Sequence, residues 1–196
     1  NKMDKKKKTI KLKSKEDSVN ILFCGLIREH ETFKKSVEDF VLMKKEGIVG
    51  EIFLSTWIGE LQKNPEVHDF LKERSVKIIE SGEPKEAGYG SVWCQMKALE
   101  VGLNKIKSGR FVLRTRSDVY INPDFVKILF KNKKSLLKIT KDLPNGNIFH
   151  YKIWVPWYEI TRPFYLGDEA FFGAKEDLMH LVNYDKRYDE ELNSGT

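Results

Sequence analysis

The sequence predicts a layered α/β domain in which a mainly parallel β-sheet is flanked by helices. Short apolar segments of strand length alternate along the chain with longer segments whose apolar residues repeat at helical spacing. The 196 residues are 40% apolar and 33% charged, which is typical of a soluble globular domain with a substantial core. Repeated strand-then-helix units favour a parallel sheet over a helical bundle or a β-sandwich.

The first half of the chain predicts three strands and two helices. The segment at 19–24 is almost entirely apolar and is followed by Gly25, which indicates a buried first strand. Residues 32–46 repeat apolar side chains at helical spacing, and Gly47 stands where a helix C-terminus favours glycine. The remaining predicted elements of this half are strands at 51–57 and 76–80 and a short helix at 67–72.

The second half contains the clearest helical pattern, at 92–106. Apolar residues recur there every three or four positions, and we expect Ser91 to cap the helix and Gly109 to end it. Asn122-Pro123 predicts another helix start, with asparagine at the N-cap and proline at the first helical position. The other predicted elements are a fourth strand at 111–113, a strand at 148–155 and a helix at 175–182.

The positive charge of the chain is concentrated at its beginning. Residues 1–15 hold eight lysines and one aspartate, so the rest of the chain is close to neutral. We therefore expect a disordered, solvated tail at 1–17, or a tether of residues 2–15 to an anionic membrane surface. A fold that tracks a nucleic acid would spread its charge over a folded face, so no nucleic-acid partner is expected.

The hydropathy pattern predicts a cytoplasmic protein. No apolar run approaches the roughly 20 residues that cross a bilayer, and no signal-peptide-like apolar segment follows the lysines. Cys24, in a predicted core strand, and Cys94, in a predicted helix, lack metal-ligand spacing and are expected to be buried free thiols.

A charged motif follows the fourth predicted strand. Alternation along an extended chain places Arg114, Arg116 and Asp118 on one side. A strand that enters a sheet interior should not carry these groups unless an anion, or a metal with an anion, lies across its end. A diphosphate fits, because arginines, a carboxylate-held divalent ion, or both neutralise it. The alternative is an edge strand in which Arg116 and Asp118 form a surface salt bridge of little energetic value.

The turn after the first strand argues against several common chemistries. Gly25-Leu26-Ile27-Arg28 is neither a dinucleotide-binding glycine turn nor a Walker loop, and no Gly-x-Ser-x-Gly occurs in the chain. These observations disfavour a Rossmann dehydrogenase, a P-loop kinase and a nucleophile-elbow hydrolase. Arg28 joins the positive groups at the predicted strand ends.

A second carboxylate cluster lies about fifty residues after the first. Asp168 and Glu169 stand between glycines and aromatic residues, where a carboxylate partly withdrawn from water gains basicity and can accept a proton from a hydroxyl. The alternative is a helix N-terminus in which Asp168 caps and Glu169 favours the helix dipole. His150 is either a further ligand or phosphate contact or a structural side chain.

These separated motifs resemble those of a known family. The segments are Leu113-Arg114-Thr115-Arg116-Ser117-Asp118 and Gly167-Asp168-Glu169-Ala170-Phe171-Phe172-Gly173, supported by Gly25 to Arg28, Leu54-Ser55-Thr56-Trp57 and Gln95. Together they resemble the WavE-type lipopolysaccharide-synthesis glycosyltransferases, which are similar to nucleotide-sugar enzymes of GT-A fold. The resemblance runs from about residue 19 to 182. It implies a Rossmann-like GT-A-type domain at 18–196, either compact or lacking C-terminal acceptor elements.

The resemblance also implies roles for individual residues. It assigns donor nucleotide and diphosphate contacts to Gly25, Arg28, Thr56, Gln95, Arg114, Arg116 and Asp118. It further makes Asp118 the candidate ligand of a divalent metal, Mn or Mg. GT-A enzymes usually carry Asp-x-Asp at this place, whereas this chain has Arg116-Ser117-Asp118, which leaves metal dependence open.

The implied reaction transfers a sugar from a nucleotide-sugar donor to a hydroxyl of a bacterial lipopolysaccharide or surface-polysaccharide acceptor, lipid-linked or oligosaccharide. Asp168 is the expected base of an inverting single displacement, with Glu169 second, and a retaining outcome stays open. The enzyme is expected in the cytoplasm, with or without peripheral contact to the inner membrane. Aromatic residues crowd the segment before Asp168, where most are expected to pack and one or two to stack on an acceptor sugar: Trp154, Trp157, Tyr158, Phe164 and Tyr165.

Two rival hypotheses belong to other functional classes. A sugar- or nucleotide-binding module on the same fold, without catalysis, is consistent with the missing first aspartate. A nucleic-acid binder recruited by the lysine tail predicts binding that weakens steeply with salt and vanishes when residues 1–15 are removed.

Overall fold

The computed structural model describes residues 18–88, 91–139, 146, 148–156 and 167–183. The lysine tail predicted at 1–17 lies outside these residues, as do four of the five aromatic residues named above, Trp157, Tyr158, Phe164 and Tyr165. In the described part of the chain, no helix is both long and apolar enough to span a membrane.

A five-stranded mixed sheet forms the centre of the fold, with the strand order β3-β2-β1-β4-β5. Four strands are parallel, namely β1 (Val19–Cys24), β2 (Val49–Trp57), β3 (Lys77–Ser81) and β4 (Phe111–Thr115). The fifth, β5 (Ala170–Ala174), runs antiparallel to β4. The predicted class, an α/β fold with a mainly parallel sheet, is confirmed.

Helices cover both faces of this sheet. In chain order they are α1 (His30–Lys45), α2 (Glu60–Lys63), α3 (Pro65–Glu73), α4 (Val92–Lys105), α5 (Pro123–Lys131), α6 (Lys133–Leu136) and α7 (Lys175–Leu181). Buried side chains of α1, α3 and α5 pack on one face, and those of α4 and α7 pack on the other.

Alternation along β1 shows why the strands are apolar throughout. Phe23 points to the α1 face, where its ring lies 4.9 Å from that of Phe33. Leu22 points to the α4 face, and a Cβ at Gly102 would lie only 2.7 Å from its Cδ1. Because both faces are buried, neither set of side chains needs to be polar. The glycine allows α4 to approach β1 closely, and this contact positions the helix beside the sheet's carboxyl edge.

Several predicted boundaries are confirmed. The first strand occupies residues 19–24 as predicted. Asn122 caps α5, because its side chain accepts a hydrogen bond of 2.9 Å from the Asp124 N–H, and Pro123 occupies the first helical position. Gly47 follows α1 with φ of 73°, the left-handed conformation that favours glycine at a helix end.

Three predictions of local structure are wrong. Ser91 has left-handed backbone geometry and makes no side-chain capping hydrogen bond, and α4 ends four residues before Gly109. The predicted strand at 148–155 is replaced, over its described residues, by isolated bridges. Asp177 accepts the N–H groups of His150 and Tyr151 at 2.7 and 2.8 Å, so a side chain satisfies the backbone that a neighbouring strand would have paired.

Candidate functional site

The candidate site lies where the order of the sheet reverses. The chain proceeds outward from β1 through β2 to β3 and then returns to the other side of β1 to form β4. In open α/β sheets, ligands bind in the crevice outside the carboxyl ends of the strands at such a switch point. A cleft of about 250 Å³ opens here. Because β5 is antiparallel to β4, the segment that enters β5 also reaches this edge.

Most of the predicted site residues meet in this cleft, although they come from four separate parts of the chain. Those that line it are Gly25, Arg28, Gln95, Arg114, Arg116, Asp118 and Asp168. Thr56 and Glu169 do not line it. Thr56 is fully buried and, by alternation along β2, points to the opposite face of the sheet from Trp57, which does line the cleft.

The loop after β1 is held by side chains from two neighbouring elements. Glu60, at the start of α2, accepts a hydrogen bond of 2.9 Å from the Ile27 N–H. Ser117 accepts one of 3.0 Å from the Arg28 N–H and donates one of 2.7 Å to the Leu26 carbonyl. This anchored backbone places the half-exposed Arg28 side chain 3.8 Å from an oxygen of Asp118.

Arg114 is a buried positive charge on the floor of the cleft, with 1% of its surface exposed. Its guanidinium donates to the main-chain oxygen of Asp168 and, at 3.4 Å, to Gln95 Oε1, and it lies over the Phe171 ring. Its Nε–H has no hydrogen-bond partner, and no described carboxylate forms an ion pair with it. Burial of a cation among neutral groups is costly, so this site favours an anion.

Arg116 bridges the two predicted carboxylates. It binds Asp118 in a fork, with Nε donating to Oδ1 at 2.9 Å and Nη2 to Oδ2 at 2.7 Å. Its Nη1 lies 3.3 and 3.4 Å from the two carboxylate oxygens of Asp168. Hydrogen bonds from Arg116 lower the pKa of Asp118 in spite of its partial burial, so Asp118 is ionised at neutral pH. The Asp118 carboxylate in turn raises the pKa of Arg116.

The structure contradicts the alternative that the first motif is a surface salt bridge on an edge strand. The Arg116–Asp118 pair exists, but β4 is not an edge strand, because it pairs with β1 on one side and β5 on the other. The pair therefore lies in the wall of a cleft at the centre of the sheet, and not on an exposed margin.

Asp168 and Glu169, in the second motif, lead directly into a strand and do not cap a helix. Residues 170–174 form β5, and the next helix begins only at Lys175. Asp168 turns its main-chain oxygen to Arg114 and its carboxylate, 38% exposed, to Arg116. The main-chain oxygen of Glu169 accepts a hydrogen bond of 3.2 Å from Thr115 on β4. Asp168 is thus the carboxylate of this motif that faces the cleft.

Further residues that sequence analysis did not assign also line the cleft. They are Cys24, Leu26, Trp57, Glu83, Ala87, Ser91 and Cys94. Strand alternation could have indicated Trp57 and Cys24, because both end neighbouring strands with their side chains on the α4 face. Burial raises the pKa of Cys24 to about 11, with Arg114 partly opposing the effect, so this residue remains a thiol at neutral pH. His150 lies elsewhere, with its ring 3.5 Å from Asp177.

The donor atoms of the cleft do not fit a divalent cation. Within the described ranges, no group of three or more His, Cys, Asp or Glu side chains is arranged to hold a metal ion. Both oxygens of Asp118, the predicted ligand, accept hydrogen bonds from Arg116, and Asp168 faces the same guanidinium. A positive side chain thus lies between the carboxylates that a cation would need.

The sequence matches no protein-family model, and no curated protein is significantly similar to it.

Proposed function

We propose that this chain is a nucleotide-sugar-dependent glycosyltransferase with a Rossmann-like fold of GT-A type. The observation that carries the proposal is the buried Arg114, which has no described carboxylate partner and lies in a cleft at the topological switch point between β1 and β4. The resemblance to WavE-type enzymes motivates the choice of substrate class. A nucleotide-sugar donor combines the diphosphate that such a site favours with a group to transfer.

The donor diphosphate would lie across the carboxyl ends of β1 and β4. Arg28 is 56% exposed at the cleft mouth, Arg116 is 31% exposed in the wall, and Arg114 is at the floor. Guanidinium groups match phosphate oxygens in geometry and remain charged throughout the reaction. They would stabilise the negative charge that accumulates on the diphosphate as its bond to the sugar breaks.

Asp168 would act as the base of an inverting single displacement. It lines the cleft from the segment that enters β5, whereas Arg28 lines it from the loop after β1, and the acceptor would approach the sugar from the β5 side. Its carboxylate would take the proton of the acceptor hydroxyl as that oxygen attacks the anomeric carbon and the diphosphate leaves. The proposed acceptor is a hydroxyl of a lipopolysaccharide or surface polysaccharide.

A second candidate function is a nucleotide- or sugar-binding module without catalysis. The contact between Asp168 and Arg116 favours it, because the carboxylate oxygens of Asp168 already face a guanidinium and not an acceptor hydroxyl. The enzyme proposal requires the donor diphosphate to draw Arg116 away from Asp168, whereas the binding module does not.

Turnover of a donor panel separates these functions. The chain would be incubated with UDP-, GDP- and CMP-sugars, and release of the nucleotide would be measured for the parent and for Asp168→Asn. The variant keeps the main-chain contact to Arg114, so we expect it to fold and to bind nucleotide while turnover falls by about 10²- to 10⁴-fold. Binding without turnover by the parent would support the module. Neither binding nor turnover with any donor would refute both.

A further inference from the structure

We propose that the cleft binds a diphosphate without a divalent cation, and that the Arg116 guanidinium supplies the positive charge at the position between Asp118 and Asp168. This inference rests on the proposed function for the identity of the nucleotide, but it concerns the ligand chemistry of the site itself.

Both carboxylate oxygens of Asp118 already have a positively charged hydrogen-bond donor. Its two carboxylate oxygens accept hydrogen bonds of 2.9 and 2.7 Å from one guanidinium, and Arg28 lies 3.8 Å from one of them. Mg²⁺ requires oxygen ligands at about 2.0–2.1 Å in nearly ideal octahedral geometry. A cation at Asp118 would have to break the fork from Arg116 and then lie beside two like charges.

Asp168, the second carboxylate beside Arg116, offers no separate metal site. The Asp168 carboxylate faces Nη1 of the same arginine, at 3.3 and 3.4 Å. Arg116 thus lies between Asp118 and Asp168, and the third carboxylate of the described cleft lining, Glu83, forms no described ion pair with it. The two acidic residues hold the guanidinium in place, and they do not form an empty cation site.

Arg114, the neighbouring cation, has no described anionic partner. It is nine-tenths buried or more, its Nε–H is unpartnered, and its other contacts are the main-chain oxygen of Asp168, Gln95 Oε1, the Phe171 ring and the Cys24 thiol. Phosphate oxygens placed over Arg114 would reach Arg116 from the open side of the cleft. The ligand would therefore meet the buried guanidinium of Arg114, that of Arg116 in its fork with Asp118, and the more exposed Arg28, without any metal bridge.

Calorimetric titration tests the proposal with UDP, GDP and inorganic pyrophosphate as probes, each in EDTA and in excess Mn²⁺. We expect a nucleoside diphosphate to bind in EDTA, with an affinity that Mn²⁺ does not increase. Binding that occurs only with Mn²⁺ would overturn this inference and leave the proposed function standing. Metal-free binding of pyrophosphate alone would support the anion site and refute the nucleotide. If no probe binds in either condition, both are refuted.

Variants at Arg116 provide the second test. Arg116→Gln keeps a hydrogen-bond donor but removes the charge, and we expect metal-free affinity to fall by about 10- to 150-fold, as for loss of one charge-assisted hydrogen bond. Arg116→Asp places carboxylates at 116 and 118, and Mn²⁺ should then restore part of the lost affinity. Unchanged metal-free affinity in a folded Arg116→Gln variant would overturn the proposal.

Arg110 supplies the matched control. It immediately precedes β4, at the opposite end of the strand from the cleft, where its guanidinium lies 4.9 Å from the centre of the Tyr151 ring. Arg110→Gln removes the same charge by the same substitution without touching the cleft lining. We expect it to bind every probe as the parent does, and its thermal unfolding provides the reference for judging whether the Arg116 variants are folded.

Discussion

Replacement of Glu60 by alanine tests whether α2 holds the loop that forms the mouth of the cleft. The Glu60 side chain is 6% exposed and accepts the Ile27 N–H at 2.9 Å, and Ile27 is itself 7% exposed. Alanine would leave this buried N–H without its partner, which costs about 1–3 kcal/mol. For a domain of this size, each kcal/mol shifts the melting temperature by roughly 2–4 °C, so we expect a decrease of roughly 2–12 °C.

Two further variants make this measurement specific. Glu60→Gln keeps a carbonyl oxygen that can accept the same hydrogen bond, so it should lose less than half the stability that Glu60→Ala loses. Glu66→Ala removes a glutamate from the neighbouring helix α3, where its partners His30 and Lys34 lie at the surface, and it should melt close to the parent.

The assays are thermal unfolding and urea unfolding, both followed by circular dichroism, together with nucleoside diphosphate titration of the folded variants. We expect Glu60→Ala to lower the free energy of unfolding without changing its dependence on urea. It should also weaken ligand binding, because the loop that carries Arg28 loses one of its two anchors and keeps only Ser117. Equal losses in Glu60→Ala and Glu60→Gln would refute the role of the hydrogen bond. A stable Glu60→Ala variant with normal ligand affinity would refute the role of α2 as a support of the loop.

Two other predictions concern titratable groups of the cleft. The pKa of Asp118 is lowered, chiefly by Arg116. The contribution of Asp118 to stability should therefore be complete above the pKa of an unfolded aspartate, about 3.9, and should disappear as the pH falls through the lower folded pKa. The difference in unfolding free energy between the parent and Asp118→Asn should shrink on acidification across this range, and a difference that grows would contradict the lowered pKa. Burial raises the pKa of Cys24 to about 11, and the residue is only 4% exposed, so iodoacetamide should modify the less buried Cys94 first. A bound nucleotide should slow that reaction, because Cys94 also lines the cleft. Peptide mass spectrometry would identify the modified residue, and earlier modification of Cys24 would contradict its burial at the cleft floor.

Elements whose structure depends on residues close in sequence were predicted correctly. The first strand has the predicted bounds because an apolar run followed by a glycine with positive φ can hardly form anything else in this context. The N-cap at Asn122 is equally local, because the capping oxygen and the N–H that it accepts are two residues apart. Arg114, Arg116 and Asp118 line one cleft, but β4 ends at Thr115 and the chain turns at Ser117-Asp118, so alternation along an extended chain does not account for the position of Asp118.

Prediction was less successful at β5 and at residues 148–155. The residues of β5 pair with β4 across more than fifty positions of sequence. No strand was predicted there, and the structural alternative considered for the preceding acidic residues was a helix N-terminus. Residues 148–155 have an apolar pattern typical of a strand, but two of their N–H groups donate hydrogen bonds to a buried carboxylate and not to a neighbouring strand. This carboxylate belongs to Asp177, more than twenty residues further along the chain. Neither outcome can be derived from a local window, because the competing partner is distant in sequence.

The sequence by itself determined the α/β class and the presence of a charged strand end suited to an anion, because periodicity and residue type act over a few neighbouring positions. Only the tertiary structure decided how those charges are distributed. It buried Arg114 without a described carboxylate partner and set Arg116 between Asp118 and Asp168. The physical reason is that a guanidinium is attracted by every carboxylate within a few ångströms. The antiparallel pairing of β5 with β4 brings the second carboxylate, Asp168, to Arg116.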